Sequence, residues 1–158
     1  MNAIDLLKAD HKVVLDLLEQ LSATTERALK KRVELIDKLE LELFAHTHIE
    51  EEIFYPAYKK AGSKEEAKMY FEAIEEHRAV DALVLPHLKR TAPGSVEFSG
   101  RAKVLKELLE HHIEEEEETL FKQAKSLLSA AQLKELGTQM EARKLQLKAE
   151  LQQQRKAA

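Results

Sequence analysis

The sequence contains no cysteine, which excludes disulfides, thiolate nucleophiles, zinc ribbons and iron–sulfur ligation together. Glycine and proline are scarce, four and three in 158 residues, too few for a β-rich fold with many turns. No stretch approaches the roughly 18 uncharged apolar residues of a transmembrane helix, so no membrane span is expected. The start, Met1-Asn2-Ala3-Ile4-Asp5, has neither a basic region nor an apolar one. No signal peptide is therefore expected, and the cytoplasm is the expected location. Charge of a single sign is lacking as well. The 25 basic and 29 acidic residues are mixed along the chain and leave a net charge of −4, with no basic patch for nucleic acid.

What is present is helical periodicity. Ile4, Leu7, Val14, Leu15, Leu18 and Leu21 share one face of a first helix, which Asn2 can cap. After the weak stretch Ser22-Ala23-Thr24-Thr25, a second helix is predicted from about Glu26 to Tyr55, with Val33, Ile36, Leu39, Leu43 and Ile53 inward. Pro56 is expected to kink or end it, because proline cannot donate to the preceding turn. Ser63-Lys64-Glu65-Glu66 reads as a capping box for a third helix carrying Tyr70, Ile74, Val80 and Val84, bent near its end by Pro86. Thr91-Ala92-Pro93-Gly94-Ser95 is the clearest loop, and a fourth helix follows from about Gly100 to Leu127. A second capping box, Ser129-Ala130-Ala131-Gln132, opens a fifth helix with Leu133, Leu136, Met140 and Leu147 on one stripe. The fold class is all-α: an up-down-up-down four-helix bundle over residues 1–128, with an additional amphipathic helix over 129–158. That last stripe is expected either to cap the bundle or to pair with a second copy as a homodimer.

Four of the seven histidines obey a rule. His11 and His46 are 35 residues apart, as are His77 and His112. A shift of 66 residues places His11 on His77, His46 on His112 and Glu50 on Glu116. The flanks follow: Asp10 matches Glu76, Glu51 matches Glu117, and Tyr55 matches Phe121. The chain reads as two copies of a helix pair, each supplying two imidazoles and one carboxylate. Residues four apart on a helix differ by only about 40° in direction, so His46 and Glu50 point the same way, as do His112 and Glu116. Their apolar neighbours turn those directions into the core. Two buried, unpaired carboxylates among four imidazoles would cost many kcal/mol unless cations neutralised them. Two metal ions resolve this, with both glutamates bridging and two histidines serving each ion. Imidazole and carboxylate without sulfur favour iron over manganese or zinc. About four protein bonds per ion leave room for an oxo or hydroxo bridge and an outside molecule such as dioxygen, hydrogen peroxide or nitric oxide.

The string His11, His46-Thr47-His48-Ile49-Glu50-Glu51-Glu52-Ile53-Phe54-Tyr55-Pro56, Glu76-His77 and His112-Ile113-Glu114-Glu115-Glu116-Glu117 resembles the hemerythrin-like (HHE cation-binding) proteins, from about Ile4 to Phe121. The resemblance implies a four-helix bundle around an oxo- or hydroxo-bridged di-iron centre. It makes His11, His46, His77 and His112 terminal ligands, and Glu50 and Glu116 bridging ones. Two departures stand out. The oxygen carriers of that family have a fifth histidine one turn before the ligand on the third helix, where this chain has Ala73, and an aspartate where it has Glu116. The four-histidine subgroup is similar to proteins associated with peroxide breakdown, nitric oxide chemistry or oxygen sensing. The expectation is therefore catalase-like or nitric-oxide-peroxidase-like di-iron activity, with reversible oxygen storage or sensing, or iron buffering, as the alternatives. Ferritin-like di-iron proteins need Glu-x-x-His pairs, and no histidine here has a glutamate three residues before it.

Other polar residues are assigned elsewhere. His48 is expected to face away from His46, His111 to sit at a boundary and His87 to be solvated. Glu51, Glu52, Glu115 and Glu117 read as outer-face charges. Asp81, four residues after His77, is a candidate acceptor behind a ligand, and Tyr70 a candidate lining of the small-molecule pocket. Tyr55 is expected to face away from His46 on a regular helix.

Overall fold

A computed structural model describes residues 1–158 and contains helices and turns alone. Helix α1 is Ala3–Ser22. Helix α2 comprises Leu29–Ile49, a π-helical turn at Glu50–Phe54, and Tyr55–Ala61. Helix α3 has the same three-part build, with Lys64–Arg78, a π turn at Ala79–Val84, and Leu85–Lys89. Helix α4 repeats it once more with Val96–Glu115, Glu116–Leu120 and Phe121–Leu127. Helix α5 is Ala130–Ala157. The first four form the up-down-up-down bundle, and α5 packs along α1 and α2. No helix is long and apolar enough to cross a membrane.

The caps form where the side chains predict them. Asn2 accepts from the Asp5 amide at 3.0 Å. The Ser63 amide donates to Glu66 at 2.6 Å, and the Ser129 amide donates to Gln132 at 2.8 Å. Two boundaries differ from expectation. Helix α2 starts at Leu29, because Ala28 closes a turn back onto Thr25 at 3.0 Å. Helix α4 starts at Val96, since Ser95 is its cap and accepts from the Phe98 amide at 3.1 Å. Buried Arg32 ties these two ends together: it donates to the Pro93 carbonyl at 2.6 Å and to the Thr24 hydroxyl at 3.0 Å. Val33, expected inward, is 47% exposed; Leu35 and Ile36 hold that face instead.

Pro56, expected to kink or end its helix, does not end it, and the third helix likewise runs on past Pro86 to Lys89. Each follows a π turn, in which the Tyr55 amide donates to Glu50 and the Leu85 amide to Val80, five residues back. Proline clashes with the carbonyl four residues before it. The wider turn moves that carbonyl aside and lets the helix continue. Helix α4 has the same turn without a proline, its Phe121 amide donating to Glu116. A π turn thus begins at each of the two repeat-related glutamates.

The core is in two parts. One holds Ile4, Leu7, Ile49, Phe54, Tyr55, Tyr58 and Phe121, and α5 adds Leu133, Met140 and Leu147 to it. The other holds Val14, Leu18, Leu39, Leu43, Val80, Leu105 and Leu109. On α1, His11 falls between the two parts; on α4, Glu116 does. A thin polar layer thus divides an apolar interior, and the apolar stripe of α5 lies against its own chain rather than open for a second copy.

Candidate metal centre

The six residues singled out by the 66-residue repeat meet in that layer, and none is more than 5% exposed. They form two groups whose donor atoms lie within 4.8 Å of one another: His11, His46, Glu50 and Glu116, and Glu50, His77, His112 and Glu116. Each histidine pair therefore comes from one half of the repeat. Both glutamates span the groups. Glu50 Oε1 lies 3.1 Å from His46 Nε2, and Oε2 lies 3.1 Å from His77 Nε2. Glu116 Oε2 lies 3.0 Å from His11 Nε2, and Oε1 lies 3.3 Å from His112 Nε2.

Four acidic residues stand behind the rings, and they follow the repeat too. His46 Nδ1–H donates to Asp10 at 3.2 Å and His112 Nδ1–H to Glu76 at 2.9 Å. His11 Nδ1–H donates to Glu117 at 2.8 Å, while Glu51 lies 3.8 Å from His77 Nδ1. A carboxylate can only accept, so it fixes the proton on Nδ1 and turns the Nε2 lone pair inward. This corrects the outer-face expectation for Glu117, whereas Glu51 stays beyond hydrogen-bond distance and leaves the buried His77 Nδ1 without a partner. Both lie in π turns, where the regular rotation per residue does not apply. In the sequence Asp10 and Glu76 are visible only as matched flanks; the signal for them is an acidic residue directly before a repeated histidine.

Tyr55 is the main correction. It is fully buried, its ring stacked on His77 at 5.5 Å between centroids. Its hydroxyl donates to Glu116, and lies 3.2 Å from Glu50 Oε2 and 3.3 Å from His77 Nε2. In an i to i+5 turn, residue 55 takes the place over Glu50 that residue 54 would hold in an α-helix. Phe121, its repeat mate, stacks on His11 at 5.6 Å. Tyr70 packs edge-on against Tyr55 at 6.2 Å and lines no cavity at the centre. Asp81 is exposed and makes no hydrogen bond to the six. His48 bonds the Phe44 carbonyl at 2.7 Å, His111 is 62% exposed and His87 lies at the surface end of α3 away from the centre. Glu52 pairs with Arg143 on the outside at 2.7 Å.

With protein groups alone the layer is electrically strained. Burial raises the carboxyls, yet His112 and His11 bring Glu116 well below the usual carboxylate range, and His46 and His77 bring Glu50 below it against burial and the Glu116 charge. Burial opposes protonation of His46, but Glu50 and Asp10 outweigh it and raise its pKa to about 10. Burial and the two glutamates push the Tyr55 phenol far up.

The residues fit bound cations. His11 Nε2, Glu50 Oε1 and Glu116 Oε2 are buried with no hydrogen-bond partner, and all three face the first position. At the second, His77 Nε2 and His112 Nε2 face each other at 3.1 Å, although Glu76 already holds the His112 proton on Nδ1. Lone pairs converging on one point are stable around a cation and costly without one.

Residues 2–124 match the family model of the Hemerythrin HHE cation binding domain. The chain belongs to the hemerythrin HHE cation-binding family. It is 32% identical over 151 residues to the uncharacterized protein Rv2633c of Mycobacterium tuberculosis, covering 94% of this chain and 88% of that one. A crystal structure of the Rv2633c homolog from Mycobacterium kansasii, an HHE domain-containing protein, is similar with a TM-score of 0.83 and 31% identity, over 95% of this chain and 89% of that one. A DNA nickase of Nostoc sp. is 28% identical over 152 residues, 96% of this chain; the chain spans 41% of that protein's length. As an HHE domain the protein is a metal-binding helical bundle. Its Ala73 is buried in the apolar core that also holds Tyr55.

Proposed function

We propose that this HHE domain holds two iron ions and reacts with small oxidants, hydrogen peroxide first and nitric oxide second. In this reading His11 and His46 would hold one ion and His77 and His112 the other, with Glu50 and Glu116 shared between them. The chemistry supplied by two adjacent ions is two-electron exchange: one peroxide is oxidised to dioxygen, a second is reduced to two waters, and two protons pass between them.

The observation that carries the reading is the cavity beside the four imidazoles. It encloses about 290 Å³, and its walls include Val14, Leu43, Val80, Leu109 and Ile113. Glu72 and Glu75 stand at its mouth. Apolar walls and an acidic mouth admit small uncharged molecules and repel anions. Ala73 supplies no fifth imidazole, so bound ions would keep positions for an outside ligand. Tyr55 stands outside the cavity lining and keeps one proton against the bridging carboxylates.

The test is direct. Iron-loaded protein mixed with peroxide releases dioxygen over many turnovers, and the double variant His46→Ala, Glu50→Ala does not. Release no greater than that of the variant removes peroxide as the substrate; a stable oxygenated spectrum reversible under vacuum would favour oxygen storage instead.

A further inference from the structure

The duplicated bundle is not symmetric around its centre. In one half, His46 Nδ1–H donates to Asp10 Oδ2 at 3.2 Å, and the other oxygen of Asp10 receives the ammonium of Lys144 from α5. In the other half, His112 Nδ1–H donates to Glu76 Oε1 at 2.9 Å, and the other oxygen of Glu76 faces the exposed His111 ring at 3.8 Å. No lysine or arginine pairs with Glu76. The repeat supplies both carboxylates, but α5 lies outside the repeat, and α5 alone supplies the ammonium. The contact is sheltered, with the Asp10 side chain 6% exposed and Lys144 21% exposed.

We propose that Lys144 is a positioning residue that sets the donor strength of His46, so that α5 makes the two metal positions chemically unequal. The inference rests on the two-ion reading above. A carboxylate that accepts from Nδ1–H draws the proton toward itself and makes the imidazole a stronger ligand. An ammonium on the far oxygen draws electron density the other way and weakens that pull. His46 is therefore the poorer donor and His112 the richer. The ammonium thus makes the ion held by His11 and His46 easier to reduce than it would be without Lys144.

Helix α5 also carries controls for the effect. Lys148 pairs with Glu42 at 2.6 Å, Arg143 with Glu52 at 2.7 Å and Arg155 with Glu40 at 2.9 Å. None of those carboxylates accepts from a centre imidazole. They hold the helix down without touching the ligands, so a merely structural role for Lys144 would be shared by Lys148.

The experiment uses the full chain, 15N-labelled and loaded with zinc as a diamagnetic probe, and follows the Nδ1–H resonances of His46 and His112. In Lys144→Met the His46 proton moves downfield while His112 stays in place, and Lys144→Gln does the same with the side chain's polarity kept. Lys144→Arg restores the original position, and Lys148→Met moves neither resonance. In the iron-loaded protein, Lys144→Met lowers the midpoint potential by about a tenfold change in the one-electron equilibrium constant, roughly 59 mV. An unmoved His46 proton, equal shifts at His46 and His112, or the same shift from Lys148→Met would overturn the proposal. The same resonances are read in the metal-free chain. Failure to take up two ions would therefore sink the proposed function, while the Lys144 comparison would still stand or fall by its own shifts.

Discussion

Tyr55 and Phe121 occupy matching positions 66 residues apart, and one hydroxyl group distinguishes them. Both rings stack on a histidine of the centre, but the tyrosine also reaches both bridging carboxylates. Tyr55→Phe keeps the stacking and removes the proton. The variant is expected to fold, to retain its metal, and to lose about 10²-fold in the rate of peroxide-driven oxygen release, the usual scale for a lost proton donor. An oxygen electrode and metal analysis of the same sample check this, and an unchanged rate would reduce the hydroxyl to packing. At this scale the sequence is legible where the helix is regular. His46 and Glu50 share a direction because ordinary α-helical geometry separates them by four residues, and the repeat marks the rest of the six. Helical spacing misplaces Tyr55 and Glu117, because the π turns that carry them leave no signature in the apolar pattern. Asp10 and Glu76 act on imidazoles of neighbouring helices, a relation that spacing within one helix does not contain.

Among elements, α5 depends on one close approach. A Cβ added at Gly137 would meet the Met1 carbonyl oxygen at 2.3 Å, the Asn2 carbonyl carbon at 2.7 Å and the Ala3 nitrogen at 2.8 Å, all backbone atoms that cannot swing away. Gly137→Ala must therefore lift α5 from the start of α1. Helix propensity alone would favour alanine by up to about 1 kcal/mol. Overpacking of this kind costs about 1–3 kcal/mol and decides the sign. Denaturant unfolding should show a net loss of stability, whereas a gain would mean that the two helices are not in this contact. The stripe on α5 is readable from its leucines and Met140, but not its target, since the same stripe suits a second copy equally well. The prolines are legible only in part for a related reason: proline forbids one hydrogen bond, and the sequence does not say whether the helix stops or widens around it.

For the whole molecule, a charged layer lies between two apolar cores, and its neutralisation couples metal content to pH. Without metal, His46 is raised to about 10, by Glu50 and Asp10 against burial. That contribution to stability is full below the ordinary histidine value of 6.5 and is lost as pH rises through about 10. Glu50 and Glu116 are lowered, so theirs is present above 4.5 and is lost as pH falls through their depressed values. A metal ion needs the imidazole unprotonated. Uptake near pH 7.5 should therefore release protons, and affinity should fall steadily as the solution is acidified. Titration calorimetry in buffers of different ionisation heat measures the release; uptake without protons would contradict the charge balance described for the layer.

The most direct test is anomalous diffraction at the iron edge from crystals of the iron-loaded chain. Two peaks about 3.5–4 Å apart are expected, one against His11 and His46, the other against His77 and His112, with Glu50 and Glu116 between them. A single peak, or two peaks away from these six side chains, would contradict a centre of two bridged ions.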